Sequence, residues 1–253
     1  MNTPPSKALI DEHLPDAIKD RLNAPPKDSV SSDAVLGGID GCVTTFSVVS
    51  GVIGAGLSPS VALVMGFANL MADGFSMAIS NYESIKTRGE FVQSLREAEA
   101  EHIDRIPEGE QEELRQIFAN KGFSGDILEK IVGTIASDRR LWIETMLTEE
   151  HGVQTINRNP VKAAMTTFCS FVLFGAIPLL PFVVLNVEPQ TQFALSSSLA
   201  ALMFFVIGAM KSRVLSRPIL RSGLSTLVTG SMAATLAFLV GYLLREVFGI
   251  AAA

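Results

Sequence analysis

The sequence predicts an all-α membrane protein of five transmembrane helices, with a cytosolic helical insert between the second and the third. Three observations predict it. The 253 residues are 48% apolar and only 18% charged, with a mean hydropathy of +0.35, which leaves too few polar groups to coat a soluble globule. The apolar residues gather into five runs that approach or exceed the roughly 20 residues needed to cross a hydrocarbon core of about 30 Å. Each run is read as helix, because an open strand in lipid leaves its backbone unsatisfied. The acids gather elsewhere, in one block between the second and third runs.

Taken in order, residues 1–32 carry Asp11, Glu12, Asp16, Lys19, Asp20, Arg21, Lys27 and Asp28 among prolines. They have no apolar core that would mark a cleavable signal, and a loosely ordered cytosolic segment is expected. The runs are Ala34–Leu57, Ser60–Ile79, Val161–Val187, Phe193–Met210 and Ser222–Leu244. Residues 33–89 therefore hold the first two spans, 90–155 the insert and 156–253 the last three spans. Cys42 and Cys169 lie far apart in apolar runs without metal-type spacing, and are read as small buried residues.

Orientation follows from the bases beside the spans. The loop Lys211–Arg221 carries four bases and no acid, whereas Asn186–Thr191 carries no base. Positive charge inside places 211–221 in the cytosol. Alternation then places the amino terminus and the insert there as well, with the carboxyl terminus outside. Ser58-Pro59 is a helix start, and the next strong breaker is Pro107. A helix running to about residue 95 measures roughly 55 Å and overshoots the membrane as a stalk, unless Gly89 interrupts it.

Between residues 90 and 150 stand fifteen acids, over half of the chain's 26, against seven bases. Helical spacing draws a stripe of Phe91, Val92, Leu95, Ala98 and His102. A second helix runs from Pro107 to a stop at Lys121-Gly122, a third is capped by Ser124, and a last short one starts at Asp138. Glu99 and His102 are three residues apart, as are Glu110 and Glu113, so each pair shares a helix face and can offer two ligands to one ion. Met146 and Glu150 are four apart. About 60 residues make a marginal core, which dimer packing or bound metal would help stabilise.

The spans themselves carry acids. Asp33, Gly37, Asp40, Thr44, Ser47 and Gly51 form one stripe of polar and small residues, and Asn69, Asp73, Met77 and Ser80 form a second. An acid in hydrocarbon costs about 3 kcal/mol even on the lenient insertion scale, so a cation, a proton or water must compensate it. Stripes that face each other, or a symmetry mate, line an ion path. Glycines at 37, 38, 41, 51, 54, 56, 66 and 74 let the helices approach closely.

The segments DGCVTTFSVVSG from Asp40 and NLMADGFSMAISNYE from Asn69 resemble the signatures of the vacuolar iron transporter family, and the likeness extends over residues 33 to about 248. The resemblance implies a homodimer of five-span chains that exchanges Fe²⁺ for protons, with a metal-binding cytosolic domain between spans two and three. It assigns membrane metal ligands to Asp40 and Met77, with Asp33 near one end of the path and Glu83 where the second span leaves the membrane. Cytosolic ligands fall on Glu99, Glu110, Glu113, Met146 and Glu150. His102 stands where relatives carry glutamate, and Leu147 where an acid is usual. Glu97, Glu101 and Glu149 are the alternatives if the register slips.

Carboxylates alone would serve Mg²⁺, Ca²⁺ or Mn²⁺, whereas a thioether beside a carboxylate favours a softer divalent ion such as Fe²⁺, with Co²⁺ and Zn²⁺ as competitors and Mn²⁺ as a further candidate. Metal and proton competing for Asp40 and Glu83 would couple the two fluxes. The expected partners are these ions, a second copy and the bilayer, with no nucleic acid. The short termini favour a bacterial cytoplasmic membrane over a vacuolar one. The histidines His13, His102 and His151 form no metalloprotease spacing, so an enzyme is not expected. The rival readings are a membrane-bound iron store and a diiron ferroxidase, because Glu99 and His102 stand at the Glu-x-x-His interval of ferritin-like sites. Only one such motif occurs.

Overall fold

The computed structural model describes residues 10–23, 30–154, 158–184, 187–215 and 218–249. These are helical, with no strand among the described residues. Within the amino-terminal segment expected to be loose, α1 (Pro15–Asn23) is a helix with no buried residue, while Lys27 and Asp28 lie outside the described residues. The first span, α2 (Val30–Gly54), starts three residues before Asp33. The helix α3 (Pro59–Arg105) follows, and then come α4 (Pro107–Asn120), α5 (Gly125–Ala136) and α6 (Arg139–Glu149). The chain returns through α7 (Pro160–Ala176), a 3₁₀ turn at Ile177–Leu179, α8 (Leu180–Val184), α9 (Pro189–Leu215) and α10 (Ile219–Phe248). Five helical stretches are long and apolar enough to span a membrane: Val30–Gly54, part of Pro59–Arg105, Pro160–Val183, Pro189–Ser212 and Ile219–Phe248. Asn186 and Arg217 of the two orienting loops lie outside the described residues.

One boundary moves. α3 is continuous for 47 residues, about 70 Å at 1.5 Å per residue, so the helix expected separately over 91–102 lies within its last third. Gly89 does not interrupt it. A glycine lowers helix propensity by only about 1 kcal/mol, and neither flank supplies a breaker before Pro107. The division at 89/90 therefore falls inside a rigid element that belongs to both the spans and the insert.

α2 is the hub of the membrane half, packed against α3, α7, α9 and α10. Its glycines make that possible. A Cβ on Gly41 would lie 2.3 Å from the Phe171 carbonyl oxygen, and one on Gly54 would lie 2.3 Å from that of Phe238. From the other side, a Cβ on Gly241 would sit 2.1 Å from the carbonyl of Gly51. Backbones thus touch directly, as helices in lipid require when no hydrophobic effect presses them together. Gly56 serves otherwise: with φ +72° it ends α2 in the left-handed region. Phe46, Val49, Leu179, Phe204 and Ile207 fill the core beside this seam. Cys42 is buried there, but Cys169 is exposed. Thr167 and Phe171 on α7 face inward, and Cys169, two residues from each, falls on the opposite side of the helix. Pro178 breaks the third span into its 3₁₀ turn, and the Ser196 hydroxyl donates to the Pro178 carbonyl at 2.6 Å. That satisfies an acceptor which lipid would leave bare.

The insert packs Ile103, Leu114, Leu128, Val132, Trp142, Met146 and Leu147 into one core. Asp138 caps α6 by accepting from the backbone N–H groups of Arg140 and Leu141. Ser58 and Ser124 occupy the expected cap positions, but neither side chain makes a capping bond.

Gly41→Ala should lower the stability of the protein by about 1–3 kcal/mol, through overpacking against an immovable backbone. Gly89→Ala should raise it by up to about 1 kcal/mol, since nothing stands within 4 Å of the added carbon. Thermal midpoints in detergent would show opposite shifts.

Candidate functional site

Two clusters of acids occur, one in the insert and one at bilayer depth. In the insert, the last turns of α3 deliver Glu99 and His102, α4 delivers Glu110 and Glu113, and the end of α6 delivers Met146 with Glu150 and His151 beyond it. Glu99 and Glu110 are 2% and 5% exposed. His102 Nδ1 stands 3.4 Å from Glu110 Oε1. His151 Nε2 stands 2.9 Å from Glu99 Oε1 and 3.8 Å from Glu150 Oε2. Ligand atoms of Glu99, His102 and Glu110 lie within 4.8 Å of one another, and so do those of Glu99, Glu150 and His151. Glu99 is common to both groups. Its Oε2 and that of Glu110 are buried without a hydrogen-bond partner, an arrangement that is costly for an ionised carboxylate unless a cation answers it.

The electrostatics follow from this crowding. Burial, with the charges of Glu113 and Glu99 behind it, pushes the Glu110 carboxyl up to about 7, against the pull of His102. Burial, and then Glu99, pushes Glu150 up as well. The hydrogen bond to Glu99 holds a proton on His151 above the usual imidazole range. Nitrogen and carboxylate oxygen together suit a divalent transition metal.

Glu113 and Glu150 are exposed at the rim, and their charges act on Glu110. Met146 is fully buried in the insert core, one turn before Glu150, and Leu147 is buried beside it. The register alternatives are engaged elsewhere. Glu97 accepts from Gln93, Glu101 pairs with Arg105, and Glu149 pairs with Lys121. His151 is the residue that spacing alone passed over. It lies 52 residues from Glu99, and the available signal was its place next to Glu150.

At bilayer depth, Asp40 is half-buried on α2, and Asp73 lies on α3, which packs against α2. Met77, one turn beyond Asp73, is half-buried, while Asp73 itself is exposed on the single chain. The Thr44 hydroxyl donates to the Asp40 carbonyl at 2.8 Å, a bond within its own helix. The Asn69 amide nitrogen is buried and unpartnered. Gly37 and Gly51 of the first stripe face α7 and α10 and serve packing. Asp33 is buried in an ion pair with Arg158 at 2.7 Å. It also accepts from Asn81 at 3.2 Å, and Asn81 donates to Thr167 at 2.9 Å. Glu83 is exposed where α3 leaves its apolar stretch.

Five spans, a helical insert with converging carboxylates and imidazoles, and acids at bilayer depth define a multi-pass membrane protein with sites suited to a cation. The chain belongs to the VIT family, whose model matches residues 31–242. It is 30% identical over 224 residues to the "Vacuolar iron transporter" of Toxoplasma gondii, covering 85% of this chain and 74% of that one. It is also 30% identical to that of Plasmodium berghei, over 83% and 81% of the two chains. With "Vacuolar iron transporter 1" of Arabidopsis thaliana the identity is 28%, over 81% and 82%. These relatives are named as transporters and not as enzymes.

Glu110 binds its proton more tightly in the folded insert than in an unfolded chain, whose carboxyl titrates near 4.5. The metal-free insert therefore loses stability as pH rises from about 4.5 to about 7, and loses no more from this group above that. Metal bound at pH 6 must displace this proton, and at pH 8 it finds the site already bare. Calorimetry with Mn²⁺ in buffers of different ionisation enthalpy should show proton release at pH 6 that shrinks at pH 8 and falls in Glu110→Gln.

Proposed function

We propose that the protein moves a divalent metal, Fe²⁺ foremost, across the membrane from the side holding the insert, in exchange for protons, and that it does so as a homodimer. Mn²⁺, Co²⁺ and Zn²⁺ are the competitors. The observation that carries this reading is the pair Asp40 and Asp73, two acids at bilayer depth on helices that pack against each other. Like charges in a medium of low dielectric demand a cation or protons between them. A carboxylate that must hold one or the other is the simplest coupling device, since metal arriving expels protons and protons arriving expel metal.

The remaining features fall into place around that pair. Met77 adds a soft ligand one turn from Asp73 and turns preference toward Fe²⁺. Asp73 is exposed on the single chain, so a second copy laid against α3 would remove it from acyl chains and close the path from both sides. Glu83 and Asp33 flank the cytosolic mouth, and the insert collects metal above it. Membership in a family whose members include named vacuolar iron transporters supports iron as the cargo.

One observation favours a second reading, in which the insert oxidises iron at a dinuclear centre. Glu99 is shared between two groups that each hold a histidine, as a bridging carboxylate would be. Against it, Glu150 and His151 are adjacent and not three apart. Oxygen uptake on adding Fe²⁺ to the purified protein separates the two, and the transport reading expects none beyond the buffer rate.

Asp40→Asn should reduce Fe²⁺ flux in proteoliposomes with an imposed pH gradient to the level of protein-free vesicles, while the protein still elutes at the wild-type volume. Undiminished flux would remove Asp40 from the path.

A further inference from the structure

Where α3 emerges from its apolar stretch, a cavity of about 460 Å³ opens between it and the side chains of Gln154 and Arg158. Ser84, Arg88, Gln93 and Arg96 line it from α3, with Gln154 and Arg158 opposite. Asn81 at its lower end lies 22 residues past Pro59, about 33 Å along the helix, just beyond a hydrocarbon core of about 30 Å.

The charge of this cavity runs against its surroundings. The insert is crowded with acids, yet the described lining holds three arginines and no carboxylate. Arg96 donates to Glu144 at 2.6 Å and Arg158 to Asp33 at 2.7 Å. The Arg158 guanidinium carries five N–H donors, more than one carboxylate oxygen takes up. Arg88 is exposed and makes no ion pair among the described residues. Serine and glutamine side chains add neutral donors between the arginines.

We propose that this cavity binds a phosphate-bearing anion, either the phosphorylated headgroup of a membrane lipid or a soluble phosphate compound. Arginine's planar fork matches phosphate oxygens two at a time. A basic pocket between helices at the membrane edge is also where headgroups are held. The volume lies within the range of small-ligand sites. Arg158 gives the site a consequence, which rests on the transport reading above. A phosphate drawing on its guanidinium competes with Asp33, and so releases an acid at the mouth of the metal path.

The test measures binding, so it stands or falls independently of transport. Full-length protein in phosphatidylcholine nanodiscs is titrated with dioctanoyl phosphatidylinositol 4,5-bisphosphate and, separately, with inorganic pyrophosphate. Saturable binding of at least one is expected. Arg88→Gln should weaken it about tenfold, the loss of one charged hydrogen bond, and Ser84→Trp should weaken it by filling the cavity. Both residues are exposed on a continuous helix, so both variants should keep the wild-type thermal midpoint. Arg221→Gln, at the start of α10, should bind as the wild type does. Binding of the lipid alone identifies a headgroup site, binding of pyrophosphate alone a soluble ligand, and binding of both a general phosphate site. Absence of saturable binding by either probe, or binding that survives both cavity variants, overturns the proposal.

Discussion

A carboxylate taken out of water needs a partner, and this molecule buries more carboxylates than it partners. Asp33 is answered by Arg158 and Asn81, and that corner is closed within the chain. Glu99 and Glu110 each keep one buried oxygen without any partner. Asp40, at bilayer depth, makes no side-chain hydrogen bond or ion pair among the described residues, and the helix packed beside it carries another acid, Asp73. His151 and His102 meet only one oxygen each of Glu99 and Glu110, and the second oxygen of each stays without a partner among the described residues. On the reading proposed above, the missing partner is the cargo.

The continuous helix α3 turns this local deficit into a spatial order. Asp73 and Met77 stand in its membrane half, Glu83 at its exit, and Glu99 and His102 near its far end. Met77 and Glu99 are 22 residues apart, about 33 Å of unbroken helix, so the distance between the insert cluster and the membrane acids is set by a rigid rod. The core around Leu114, Trp142 and Met146 holds α4 and α6 against that rod, which brings Glu110, Glu150 and His151 to Glu99. In the membrane, the glycine contacts of α2 fix it against α7 and α10, and α2, which carries Asp40, also packs on α3, which carries Asp73.

Much of this was legible in the sequence, and the reason is periodicity. Run lengths gave the five spans, and spacings of three and four placed Glu99 with His102 and Glu110 with Glu113. Residues that meet only through tertiary packing left no such trace. His151 reaches Glu99 across 52 positions and Arg158 reaches Asp33 across 125, and no local pattern encodes either meeting. The stalk expected to about residue 95 is present and runs on to Arg105, because the one candidate interruption, Gly89, is a small penalty in a long helix. Cys169 was misplaced by treating an apolar run as buried all round, whereas a span has one face for its neighbours and one for lipid.

The account turns on metal meeting Asp40 inside the bilayer. Anomalous diffraction at the iron edge, from crystals grown without oxygen in Fe²⁺, tests that directly. The account predicts a peak within bonding distance of the Asp40 carboxylate and the Met77 sulfur. A map with no such peak, in which both side chains turn toward acyl chains and no wet crevice reaches them, would contradict it.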